Sequence, residues 1–105
     1  MAQCVVYQNL DPASKSATPY LLDVQSDLMG RLATTVVVPL RPASRMKASL
    51  LGALTPVLEV AGVPCAMVTP QLAGISRKHL GKSLGDFSAQ RESIMAALDL
   101  LITGI

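Results

Sequence analysis

The sequence predicts an α+β domain in which a small antiparallel, barrel-like sheet is followed by one C-terminal helix. Three observations carry that reading. Thr34–Leu40 is a dense β-branched run. Residues 56–69 form a hairpin pattern, with apolar stretches on either side of Ala61-Gly62. Ile94, Ala97, Leu98 and Leu101 recur at i, i+3, i+4 and i+7, the spacing of one helix face. Strands first and a helix last favour a segregated α+β arrangement. The 105 residues fit a single domain, 1–105, with one modest core.

Taken in order, Cys4–Gln8 begins a first strand, and Asn9–Pro19 is dense in turn formers and connects it onward. Tyr20–Val24 is a second strand, and Gln25–Gly30 is a turn passing from polar to apolar residues. Thr34–Leu40 follows and is broken by Arg41-Pro-Ala-Ser-Arg-Met-Lys47, after which Leu50–Leu54 is a short helical or extended link. Pro56–Val60 and Val63–Thr69 are the hairpin strands. Glu59 between Leu58 and Val60 gives the alternation of a half-exposed strand, and Pro70 closes the unit. Residues 71–85, with Gly74, Gly81, Gly85 and the cations Arg77, Lys78 and Lys82, read as irregular. Asp86 or Ser88 is placed to cap the final helix, and Glu92 in its first turn favours the helix dipole. Beyond the core-facing stripe, Ile102 to Ile105 remain apolar or small, as a contact surface would.

Half of the residues are hydrophobic but only 3% are aromatic, so the core must be aliphatic. The charged fraction of 15% is low for a monomer and raises the expectation of an apolar subunit interface. A net charge of +2 does not argue for nucleic acid by itself. Cys4 and Cys65 belong to no CxxC pair and sit among apolar residues, which favours reduced core thiols over a disulfide. Met1–Tyr7 lacks the basic and apolar regions of a signal peptide. The C-terminal apolar run of about 12 residues contains Asp99 and is too short to span a bilayer. The expectation is a cytoplasmic protein without membrane association.

Catalytic chemistry is sparse. The single histidine, His79, lies in a basic stretch that reads first as a solvated loop. Gly81-Lys82-Ser83 resembles the end of a phosphate loop, but Ser76 stands where the opening glycine belongs. There is no HExxH motif or metal-ligand spacing, so neither metal nor cofactor is expected. Asp23 and Asp27 would share a side of an extended stretch. They lack an identifiable partner base and suit turn fixing by bonds to backbone amides better than acid–base work.

The block Asp23-Val-Gln-Ser-Asp27 followed by Leu28-Met29 resembles the second strand and turn of the CcdB family of plasmid toxins. Val38-Pro39-Leu40, Pro56-Val57, Met67-Val-Thr69, Asp86-Phe-Ser88, Arg91-Glu92 and Gly104-Ile105 continue the match, which runs from Gln3 over essentially the whole chain. The resemblance implies the homodimeric fold shared with Kid and MazF toxins. It also implies a binding protein rather than an enzyme: one that engages the dimerisation domain of the DNA gyrase A subunit, trapping gyrase covalently joined to cut DNA. It implies a CcdA-like antitoxin whose disordered segment folds on binding, and contact with DNA only through antitoxin or gyrase.

By position, the family's gyrase contacts fall on Ser26, Leu28, Met29, Asp99, Ile102, Thr103, Gly104 and Ile105. Thr103 stands where a well-known member has Trp, a loss of stacking surface worth about 2 kcal/mol or more. Leu28 and Met29 replace a β-branched pair, Asp99 replaces an amide, and Gly104 is expected to let main chain approach main chain. Arg41, Arg45 and Lys47, with the loop Gln8–Pro19, are the expected antitoxin surface, because an acidic disordered segment favours positive charge. Two alternatives stand beside this reading. One is a MazF-like endoribonuclease using Arg77, Lys78 or His79; the other is a non-toxic antitoxin-binding decoy or operon co-repressor.

Overall fold

A computed structural model describes residues 3–47 and 52–104. Among these residues, seven strands form one sheet: β1 (Val5–Asn9), β2 (Tyr20–Asp23), β3 (Thr34–Pro42), β4 (Val57–Val60), β5 (Val63–Met67), β6 (Ala73–Ser76) and β7 (Leu80–Asp86). Every pairing is antiparallel, in the order β4-β5-β3-β2-β1-β7, with β6 also on β3. The helix α1 (Arg91–Thr103) follows. The predicted α+β class, with a curled antiparallel sheet and a terminal helix, is the observed one.

The β-branched run builds the centre. β3 is nine residues long and pairs with three other strands. Along one edge it meets β2 at Val37–Leu40. The other edge is divided between β6 at Thr34–Val37 and β5 at Leu40–Pro42. The period of two then sorts its side chains: Val38 and Leu40 join Val6, Leu22, Leu58, Val60 and Met67 in the core that receives Ile94 and Ala97 of α1. Thr35 and Val37 are buried on the opposite face, with Leu21 and Tyr7 of β2 and β1. Both faces are covered because the sheet curls, which accommodates so aliphatic a composition in one small domain.

The β4–β5 hairpin closes through Ala61-Gly62, and both turn residues have positive φ, 51° and 80°. A two-residue hairpin turn needs that geometry to match strand twist. Glycine adopts it freely, whereas Ala61 does so at a cost of about 1 kcal/mol. Gly52–Thr55 is a turn pinned by Gly52 N–H donating to Thr55 Oγ1 at 2.9 Å, and Leu50 and Leu51 of the expected link lie outside the described residues.

Two expectations are corrected. Residues 71–85 are not irregular, since they contain β6 and most of β7. The glycines there serve strand packing: a Cβ on Gly81 would come within 2.9 Å of Leu10 Cδ2 and 3.1 Å of Gln8 Cβ, and Gly85 sits at φ 149° beside a register shift in the β1–β7 pairing. Nor does Asp86 or Ser88 cap α1 directly. Asp86 Oδ1 accepts from Ser88 N–H at 2.8 Å and starts a 3-10 turn, Ser88–Gln90, that leads into the helix. That bond, with the Ser88 hydroxyl, holds the Asp86 carboxyl below the usual carboxylate range.

Cys4 and Cys65 are both buried free thiols, as expected from their contexts. Burial pushes both thiols up, outweighing the nearby Arg91 charge in the case of Cys4, so neither is activated as a nucleophile. No helix among the described residues is long and apolar enough to cross a membrane.

Candidate functional site

The carboxylates of the Asp-Val-Gln-Ser-Asp block build a turn. Asp23 is 2% exposed, and its Oδ1 accepts from Thr35 Oγ1 at 2.8 Å and from Gln25 N–H at 3.1 Å. Asp27 Oδ1 accepts from the Gln3 backbone N–H at 2.6 Å. Ser26 Oγ accepts from Leu28 N–H at 3.2 Å and caps the 3-10 turn Asp27–Met29. The turn-fixing role inferred for both aspartates therefore holds for Asp23, through Gln25 N–H, and Ser26 shares it, whereas Asp27 ties the turn to Gln3 at the other end of a 24-residue separation. These bonds lift the next two side chains off the body. Leu28 is 90% exposed and Met29 50%, and Leu32, which no sequence pattern singles out, is 49% exposed.

The second element is the end of α1. Ile94 and Ala97 are fully buried, Leu98 packs partly on the core and Leu101 is half-buried, so the predicted stripe is the docked face. Ile102 lies off that stripe and is 74% exposed. Asp99 and Thr103 are exposed one turn apart, and Thr103 Oγ1 donates to the Asp99 carbonyl at 2.6 Å. The hydroxyl is thus engaged within the helix. Gly104 ends α1 in the left-handed region at φ 75°, its N–H donating to the Leu100 carbonyl at 3.0 Å. Nothing lies within 4 Å of a Cβ placed on it. Within the protomer, glycine at this position answers to the backbone conformation that ends the helix. Ile105 lies outside the described residues.

The two apolar stretches belong to different elements, the 3-10 turn Asp27–Met29 and the end of α1. Ile102 is eleven residues beyond Arg91, about 17 Å down the helix axis. Through Ile94 and Ala97, α1 packs on the strand residues of the core.

The basic residues divide. Arg45 Nη1 donates to the Ser16 carbonyl at 3.2 Å and ties the 43–45 turn to the 9–19 loop, so the two segments expected to meet an antitoxin form one surface. Lys47 is exposed two residues further along. Arg41 is half-buried, has an Nε without an acceptor among the described residues, and lines a cavity of about 320 Å³ with Asn9, Thr18, Leu21, Val37 and Ile75.

Arg77 is half-buried and holds the 29–33 loop, donating from Nε to the Leu32 carbonyl and from Nη2 to the Met29 carbonyl. His79 is half-exposed, with Nδ1 4.0 Å from Asp11 Oδ2, beyond hydrogen-bond distance. Among the described residues no group of three or more His, Cys, Asp and Glu side chains is placed to hold a metal. The arrangement offers exposed apolar contact area and, among the described residues, no assembled acid–base pair.

Comparison with known proteins bears on the family and the fold. A family model described as CcdB protein matches residues 3–104. Among solved structures, the chain superposes on the Mycobacterium tuberculosis toxin MazF-mt6 with a TM-score of 0.75 at 12% identity, covering 94% of this chain and 96% of that one. It also superposes on an endoribonuclease in complex with its cognate antitoxin from a mycobacterial species, with a TM-score of 0.74 at 17% identity, covering 98% and 95% of the two chains. At those identities the structural likeness is one of fold.

Proposed function

This chain belongs to the CcdB family, and on that premise we propose that it is the toxin of a toxin–antitoxin pair that binds the DNA gyrase A subunit, trapping the gyrase–cleaved DNA complex. One observation carries the choice of a binding mechanism. Leu28, Met29 and Ile102 are large apolar side chains left 90%, 50% and 74% exposed, on a turn and a helix end that hydrogen bonds hold in place. Rigidly held apolar groups on a surface are what a partner buries.

The poisoning needs no catalytic group. Gyrase cuts the DNA, and a ligand that binds the cut state more tightly than the resealed one shifts the equilibrium toward it by its differential affinity alone. A two-fold homodimer duplicates each apolar patch. It also gives a route to join the turn of one protomer with the helix end of its partner into one symmetric surface for a symmetric target. Arg41, Arg45 and Lys47, with the 9–19 loop that Arg45 ties to its own turn, are the surface proposed for an acidic, CcdA-like antitoxin.

The endoribonuclease among the fold neighbours favours a second reading, RNA cleavage in a dimer groove. Against it stand the commitment of Arg77 to two backbone carbonyls and the 4.0 Å gap between His79 and Asp11. Purified protein incubated with RNA should give no sequence-specific cutting, and clean fragments would decide for the enzyme. Thr103 refines the gyrase reading. With its hydroxyl bonded to Asp99, it adds little contact, so Thr103→Trp is expected to tighten binding to the gyrase A subunit by about tenfold or more, measured by surface plasmon resonance.

A further inference from the structure

We infer that Arg77 is the positioning residue of the proposed gyrase-binding loop: its guanidinium fixes where Leu28, Met29 and Leu32 stand, though it belongs to a different part of the chain. The 28–33 segment returns from the Asp27–Met29 turn to β3 and has three points of attachment to one residue. Arg77 Nε donates to the Leu32 carbonyl at 2.6 Å, Nη2 donates to the Met29 carbonyl at 3.2 Å, and the Arg77 backbone N–H donates to the Ala33 carbonyl at 3.0 Å. These bonds reach across 45, 48 and 44 positions of sequence, so β6 and its following turn act on the loop in addition to its local bonds, among them Met29 N–H to the Ser26 carbonyl and Gly30 N–H to the Asp27 carbonyl.

The Met29 carbonyl also accepts from Leu32 N–H at 3.2 Å and from Gln25 Nε2 at 3.4 Å, so the arginine adds a tie from a distant part of the chain to a carbonyl that local bonds already engage. A planar fork spans two carbonyls at once, whereas a lysine ammonium is a point donor on a flexible stem and reaches one well. The third nitrogen, Nη1, is buried with no acceptor among the described residues. The orientation that brings the fork to two defined carbonyls leaves this donor over. Leu28 and Met29 then project from a preorganised loop, so that little ordering is left to occur on contact.

This inference rests on the gyrase reading, and its test separates the two. The full-length protein and its variants are measured for backbone amide exchange and for affinity to the dimerisation domain of the gyrase A subunit. Arg77→Ala is expected to weaken binding by about 30-fold, and Arg77→Lys by about fivefold. Exchange at Gly30 and Leu32 should accelerate about tenfold or more in Arg77→Ala, with the β3 amides Val37 and Val38 unchanged. In a Leu28→Ala background, Arg77→Ala should cost much less than it does alone, because the side chain it positions is already gone. Wild-type affinity in Arg77→Ala, or a fully additive double variant, would overturn the positioning role. Absence of binding by the wild-type protein would overturn the gyrase reading instead, and the exchange result at Gly30 and Leu32 then decides the clamp: acceleration upholds it and unchanged rates overturn it.

Discussion

Ile102→Lys is expected to abolish growth arrest on induction and to weaken binding to the gyrase A subunit by about 30-fold to 1,000-fold, the range of about 2–4 kcal/mol that a central contact residue commands. The fold should not notice. Ile102 is 74% exposed, and a substitution at such a position changes stability by about 0.5 kcal/mol or less. Thermal unfolding within a few degrees of wild type, together with loss of binding, separates a lost contact from a lost structure. The charge matters as much as the lost area, because a lysine ammonium must be desolvated against an apolar partner.

Ile94→Ala reports the opposite face of the same helix. Ile94 is completely buried and packs among Leu58, Met67 and the rest of the core, so its truncation removes apolar contact and leaves a cavity. The expected loss is about 2–5 kcal/mol, and a chain of this size should melt roughly 10 °C or more lower. Toxicity should fall with the population of folded protein, and cooling should restore it. In Ile102→Lys cooling should restore nothing. Two isoleucines eight positions apart, one seating the helix and one facing outward, thus give two distinguishable phenotypes.

Sequence was informative wherever a side-chain period or a turn dipeptide imposes geometry. The β-branched stretch became β3, the Ala61-Gly62 hairpin closed as read, and Ile94 and Ala97 went to the core. It misled where glycine was taken for loop punctuation. Gly81 and Gly85 belong to β7 because Leu10 and Gln8 crowd one and a register shift needs the other, and neither cause is visible until the strands are paired. Turn fixing could be assigned to Asp23 from its neighbours, but its bond to Thr35 and the long-range bond of Asp27 to Gln3 could not. The clamp from Arg77 was hidden for the same reason, since it joins residues 45 and 48 positions apart.

Gly104 shows how one residue type can serve a purpose besides the one its setting suggests. A small residue beside an apolar end invites the idea of close approach, and its positive φ gives it a second purpose within the protomer, that of ending the helix. Thr103 carries a similar lesson. Standing where a stacking side chain would extend the contact, it turns its hydroxyl back onto Asp99. In the proposed gyrase contact, the area then falls to Ile102 and to the loop that Arg77 holds.

Incubating the purified protein with gyrase and supercoiled plasmid, followed by denaturation and protease digestion, tests the central claim most directly. The account predicts linear DNA whose ends carried the covalently attached gyrase A subunit, formed by the wild-type protein and not by Ile102→Lys. Undiminished supercoiling with no trapped cleavage, at protein concentrations well above that of gyrase, would contradict it.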